Sequence, residues 1–283
     1  MVSLIFDSVI LFCLFFSFYV IGPIQSSMVI GFFSLCLILS NKRKTTQLKY
    51  LFLNKECLLL ITGMLLVLLN SLIFPVIHVT ADTSYFTSML KLFIKIVFVY
   101  ICTELLYKKN KPLEYYEKLI VIIFVVQSLI QVVAFFNPKI ASIILLMNHA
   151  EELYTNEGGR RGLGLAGSTG WSLGLAYGVS FLFYTKIYLI GMRRISFKEI
   201  TVGLLILMGV FFSGRSAFMG IILSGCYFFS TRRRSVFFKI TTALKFIILL
   251  IIILLLIYML FPTFVSLLFE KVFPWTFEFF YKH

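Results

Sequence analysis

Long unbroken runs of apolar residues decide what this chain can fold into. Residues 246–261 contain no charged side chain, and a water-soluble core cannot hide such a run while still presenting a charged exterior. The pattern extends through the chain. Of its 283 residues, 60% are hydrophobic and 13% charged, where an ordinary soluble domain has roughly 45–50% and about 25%. Lipid is therefore the solvent. A hydrocarbon layer of about 30 Å is crossed by about 20 helical residues. Division at that length predicts about nine spans, over 4–20, 24–40, 57–77, 89–107, 119–136, 171–190, 200–212, 217–229 and 244–261. The expected fold is all-α, a polytopic transmembrane helix bundle forming one multi-pass membrane domain over 1–283. The first run lacks a basic segment before it and is followed by the second after only Gly22 and Pro23, so it reads as a retained helix and not a cleaved signal peptide. The five cysteines lie in or beside apolar runs, spaced neither as a metal knuckle nor as a disulfide framework.

The formal net charge of +14 raises the possibility of nucleic acid, but the distribution of the cations argues against it. They gather in short clusters between apolar runs: Lys42, Arg43 and Lys44; Lys108, Lys109 and Lys111; Arg193, Arg194 and Lys198; Arg232, Arg233 and Arg234. Positive-inside topology signals have this form. A cytoplasmic N-terminus puts all four clusters inside, whereas the opposite orientation translocates every one. Segments 22–27, 75–88, 137–170, 213–216 and 262–283 then face outward. Within 137–170 the apolar stretch 140–147 is too short to span and is expected to form an interfacial helix on the outer leaflet. The stretch 262–283 reads as the start of an outer loop.

Cations on the outer side run against the positive-inside bias and need a reason. Arg215 lies in Phe211-Phe212-Ser213-Gly214-Arg215-Ser216, between two short apolar runs. A guanidinium held below the outer surface is costly unless it faces a water-filled cavity or an anion, which makes it a functional candidate. The alternative is that the seventh span begins near Phe197, so that the turn reaches the surface and Arg215 snorkels. Arg160 and Arg161 lie in Glu157-Gly158-Gly159-Arg160-Arg161-Gly162-Leu163-Gly164. Guanidinium forks match phosphate oxygens in pairs, and the flanking glycines allow a backbone that wraps a ligand; the alternative is a solvated connector. Gly170, Gly174 and Gly178 recur every fourth residue, which smooths one helix face for a close neighbour. Lys91 and Lys95 share a face and either support the positive potential of the outer site or snorkel to the headgroups. For proton transfer the outer face offers His149 and Glu152, beside His78, Asp82, Glu151 and Glu157. No HExxH, P-loop, GxSxG or Cys/His metal spacing is present, and neither a metal nor a cofactor is expected.

The arginine-glycine strip 160–164, a glycine-rich span, a basic loop and a span closing on Ser213-Gly214-Arg215-Ser216-Ala217-Phe218 resemble the bacterial O-antigen polymerase and ligase family over about 137–231. The resemblance implies a multi-helix protein of the bacterial plasma (inner) membrane. It would take polyprenyl-pyrophosphate-linked glycans on the outer face and assemble a surface polysaccharide, O-antigen of lipopolysaccharide or capsule. It implies that Arg161, or its neighbour Arg160, and Arg215 hold the donor pyrophosphate, that membrane lipid and a chain-length regulator are partners, and that nucleic acid is not. Many relatives carry a Pro-Asn pair after the first arginine, where this sequence reads Ala166-Gly167-Ser168-Thr169. They also continue through a large outer loop with a catalytic histidine and further spans. The expected activity is repeat-unit polymerisation by metal-independent glycosyl transfer, with His149 or Glu152 as base; a lipid-linked glycan flippase and an O-antigen ligase are the alternatives.

Overall fold

The computed structural model describes residues 2–22, 24–77, 84–107, 111–148, 164–166, 171–191, 195–213, 216–231 and 235–260. Their regular structure is helical apart from one small hairpin. In chain order the elements are α1 (Val2–Phe16), β1 (Tyr19–Ile21), β2 (Ile24–Gln25), α2 (Ser26–Leu39), α3 (Lys42–Phe52), α4 (Lys55–Ile77), α5 (Ser84–Leu106), α6 (Leu113–Phe136), α7 (Pro138–Asn148), α8 (Trp171–Tyr184) with a π-helical turn (Thr185–Ile190), α9 (Phe197–Ser213), α10 (Ser216–Ser230) and α11 (Val236–Leu260). Among the described residues three helical stretches are long and apolar enough to cross a membrane: Lys55–Pro75, Leu113–Phe136 and Ser172–Ile190.

The distribution of polarity along α6 identifies the solvent. Gln127, Ser128 and Gln131 are buried, while Val126, Leu129 and Val133 of the same helix are exposed. Water would select the reverse. Lipid selects this arrangement, because a polar group facing hydrocarbon has no partner and an apolar one loses nothing there. On α4 the apolar residues Leu59, Leu66, Leu69, Ile73 and Phe74 are likewise exposed. The chain is an all-α membrane protein.

Local signals explain several boundaries. Pro138 occupies the first position of α7, where a missing N–H costs nothing. The side-chain oxygen of Asn137 accepts from the amides of Lys139 (3.0 Å) and Ile140 (3.4 Å), so the stretch expected over 140–147 is a helix with a capped start. At the head of α9 the Glu199 carboxylate accepts from the Ser196 amide at 2.8 Å and also from its hydroxyl, a capping-box arrangement. That cap starts the seventh apolar run at Phe197, as the alternative reading of Arg215 supposed, in place of residue 200. The first run ends its helix at Phe16 instead of continuing to Val20, because Ser17 takes a left-handed conformation (φ 45°). The basic stretch after α2, expected as a loop, is the helix α3.

The chain divides into two compact units, Phe12–Lys111 and the remainder, Met1–Leu11 with Pro112–His283. In the first, α2 packs along α5, and α4 also lies against α5. Lys44 of α3 donates to the Glu104 and Leu105 carbonyls (3.2 and 3.1 Å), which end α5. In the second, α8 is central, touching α6, α9 and α10. A Cβ added at Gly178 of α8 meets the Gly220 Cα of α10 at 2.9 Å, and one at Gly174 collides with the Ser216 hydroxyl. The smooth face expected from the glycine repeat is thus occupied by α10, whose own Ser216 and Gly220 keep the same spacing. Because Gly174 pairs with Ser216 and Gly178 with Gly220, α8 and α10 run in the same direction.

Gly178→Ala is expected to destabilise the detergent-solubilised protein by about 1–3 kcal/mol through overpacking. Gly63 of α4 has open space around it, and Gly63→Ala is expected to stabilise by about 0.5–1 kcal/mol through helix propensity. Opposite shifts of the thermal unfolding midpoint check the pair.

Candidate functional site

Of the residues singled out by sequence, His149, Glu152, Arg160, Arg161 and Arg215 lie outside the described residues, as do His78, Asp82, Glu151 and Glu157. Lys91 and Lys95 are described. They sit one turn apart on α5, in the unit formed by Phe12–Lys111. The structure describes the residues on either side of these segments, and those flanking residues converge.

In the sequence, the segment that bears His149, Glu152, Arg160 and Arg161 follows Asn148, the last residue of α7, and precedes Gly164. These two residues are joined, since the Asn148 amide Nδ2 donates to the Gly164 carbonyl in a buried contact. Gly164 itself lies flat against α6: a Cβ there collides with Gln127 Nε2 and comes within 2.9 Å of Gln131 Cγ, so only glycine brings the strand of backbone this close. Leu165 packs on the small apolar cluster of Ala134, Ala141 and Ile144. The residues on either side of Gly214 and Arg215 are anchored too. α9 closes with Ser213, whose hydroxyl donates to the Val210 carbonyl at 3.0 Å, and α10 opens with Ser216 against Gly174. Both segments therefore attach at one end of the bundle, where α6 ends and α8 and α10 begin.

Beneath those anchors lies a buried polar layer. The Tyr177 hydroxyl of α8 donates to Gln131 Oε1 of α6 (2.9 Å) and lies 3.2 Å from the Ser128 hydroxyl. Its ring meets Phe124 edge-on at 4.7 Å and fills the space above Gly209 of α9, where a Cβ would strike it. Gln127, Ser128, Gln131 and Tyr177 are each 0% exposed. Among the described residues, both amide atoms of Gln127, together with Gln131 Nε2, Asn148 Oδ1 and Ser180 Oγ, have no hydrogen-bond partner. In hydrocarbon each such group costs on the order of 1–3 kcal/mol. The layer is neutral and amide-rich, chemistry that suits hydroxyl groups better than it suits ions. Sequence reasoning passed over it, although Gln127, Ser128 and Gln131 interrupting an apolar span were a readable signal.

A second polar site occupies the opposite end of the same helices. Lys186, inside the π-helical turn, pairs with buried Glu117 of α6, and Tyr115 donates to Asp7 of α1 at 2.5 Å. The Gly191 amide reaches back five residues to the Lys186 carbonyl (3.0 Å), a widened turn of the kind often found at functional positions. Among the described residues no group of three or more His, Cys, Asp or Glu could hold a metal ion.

Asn148→Ala removes the donor to a buried carbonyl and is expected to lower stability by about 1–3 kcal/mol. Asn148→Asp, which keeps the shape and lacks the donor, is expected to do at least as much harm, read as the unfolding midpoint in detergent. No family model, curated protein or solved structure matches the chain.

Proposed function

We propose that this chain is a repeat-unit polymerase for a surface polysaccharide, O-antigen or capsule. In this reading it is a multi-pass protein of about nine spans in the bacterial plasma (inner) membrane. Its N-terminus is cytoplasmic, α7 lies at the outer interface, and the substrate is a polyprenyl-pyrophosphate-linked oligosaccharide taken on the outer face. The supporting observation is the convergence of anchors: Gly164 on α6 and Ser216 on α8 tie the two arginine-bearing segments to the same end of one helix group. A group that must grip two phosphates at once needs its cations delivered from such a common base.

The chemistry follows from the residue types. Arg161, or Arg160, and Arg215 hold the pyrophosphate through paired N–H donors. His149 or Glu152 takes the proton of the acceptor hydroxyl. The acceptor oxygen then bonds to the anomeric carbon of the donor sugar as its bond to the pyrophosphate oxygen breaks, and polyprenyl pyrophosphate leaves with the electron pair. The guanidinium groups neutralise the charge that develops on it, an effect strengthened where water is scarce. A ligase would use the same grip on a finished polymer. The intramembrane Glu117–Lys186 pair beside a widened helix turn favours a second reading, a flippase for the lipid-linked glycan, because transporters place charges and broken helices within the membrane.

Arg161→Ala and Arg215→Ala, expressed at normal levels in a strain lacking the gene, are each expected to reduce polymerisation about 10²–10³-fold and to leave single repeat units on the outer leaflet. Normal chain length in both variants overturns the assignment. Repeat units retained on the inner leaflet after deletion indicate the flippase, and long polymer still attached to its carrier lipid indicates the ligase.

A further inference from the structure

We infer that the outward face of α3 binds the phosphate headgroups of acidic phospholipids. The helix has the sequence Lys42-Arg43-Lys44-Thr45-Thr46-Gln47-Leu48-Lys49-Tyr50-Leu51-Phe52 and contains no acidic residue. Its two faces have different work. Leu48 is buried with Ile38 of α2 and Ile101 of α5, and Phe52 packs against that cluster. On the same side, Lys44 is used up in capping the carbonyls of Glu104 and Leu105.

The other face carries Lys42, Arg43, Lys49 and Tyr50, all exposed, brought together because seven residues make nearly two helical turns. Among the described residues Lys42, Arg43 and Lys49 have no ion-pair partner. Helix stability does not account for Lys42 and Arg43. Asn41 caps the start of α3, its side-chain oxygen accepting from the Arg43 and Lys44 amides (3.1 and 3.4 Å). Lys42 and Arg43 stand next to that cap, where cations oppose the helix dipole.

The position of α3 selects the ligand. It lies between the end of α2 and the start of α4, and α4 is apolar and long enough to cross a bilayer, so the cationic face sits where a crossing helix meets the headgroups. Clustered Lys and Arg beside a membrane helix attract anionic headgroups, and a tyrosine among them suits the same interfacial layer. The chemistry recognised is a phosphate monoanion held in the plane of the membrane; its diffusible counterpart would be free phosphate.

The test uses the full chain in neutral detergent, titrated with phosphatidylglycerol, phosphatidylcholine or soluble glycerol phosphate, with the thermal unfolding midpoint as readout. Phosphatidylglycerol alone is expected to raise the midpoint. The triple variant Lys42→Gln/Arg43→Gln/Lys49→Gln is expected to bind it about a hundredfold more weakly, at about fivefold per cation. Should the triple variant fail to fold, Lys49→Gln alone, expected at about fivefold, carries the decision. Equal stabilisation by phosphatidylcholine, equal protection by glycerol phosphate, or variants that bind like wild type each overturn the inference.

Discussion

The close approach of α8 and α10 at Gly178 and Gly220 sets the geometry of the whole second unit. Lipid offers no hydrophobic drive for one apolar helix to join another, so association depends on how near two backbones can come. Here the missing side chains let them meet: the Gly220 Cα lies 2.9 Å from the position a Gly178 Cβ would take. Two consequences follow. The helices share a direction, which brings the segments before each of them to one end. With α10 seated on one face of α8, the adjacent face is left for Tyr177, whose ring closes over Gly209 of α9 and meets Phe124 of α6.

Tyr177 then links the apolar packing to the polar interior. Its hydroxyl donates to Gln131, one of three polar side chains that α6 turns inward while its valines and leucine at 126, 129 and 133 face out. In a soluble protein such a layer would weaken the core. In lipid it contributes specificity, because Gln131 facing outward would lose the partner it has in Tyr177 and meet no other. Gly164 rests on these glutamines and takes a hydrogen bond from Asn148, so the polar layer also seats the residues that flank segment 149–163.

The sequence made the apolar elements legible and the polar ones less so. The runs over 57–77 and 119–136 became α4 and α6, with α6 starting earlier, at Leu113. Its first turns, Glu114 to Glu117, are amphipathic and fall below any hydropathy threshold. α3 escaped for a similar reason, since its charge density hides a helical repeat in which Thr45, Leu48 and Phe52 line one side. The end of α1 at Phe16 depends on the backbone of Ser17, and no side-chain pattern announces it. The Gly174 and Gly178 repeat announced a close neighbour without naming it. For the candidate site, the arginines stood out in the sequence because the expected topology makes them anomalous cations. Asn148 and the glutamines were readable only as polar residues in an apolar context, and their meeting at Gly164 is a product of the fold.

The lysines show how one residue type serves two demands. A helix that ends near a membrane surface leaves four carbonyls without partners and a partial negative charge. In one unit Lys44 supplies donors to the end of α5; in the other, Lys239 of α11 donates to the Phe229 and Thr231 carbonyls at the end of α10, at 2.6 and 2.7 Å. Each lysine adjoins a basic cluster that the positive-inside rule would hold in the cytoplasm. Orientation and helix termination are therefore coupled. A chain inserted the other way would have to carry across the membrane the same ammonium groups that finish its helices, and leaving them behind would strip the caps from α5 and α10. Under this constraint the cations at 160, 161 and 215 stand apart. They belong to neither capping lysine's cluster, and in the sequence they precede α8 and α10, whose first turns present free amides that repel a cation and attract an anion.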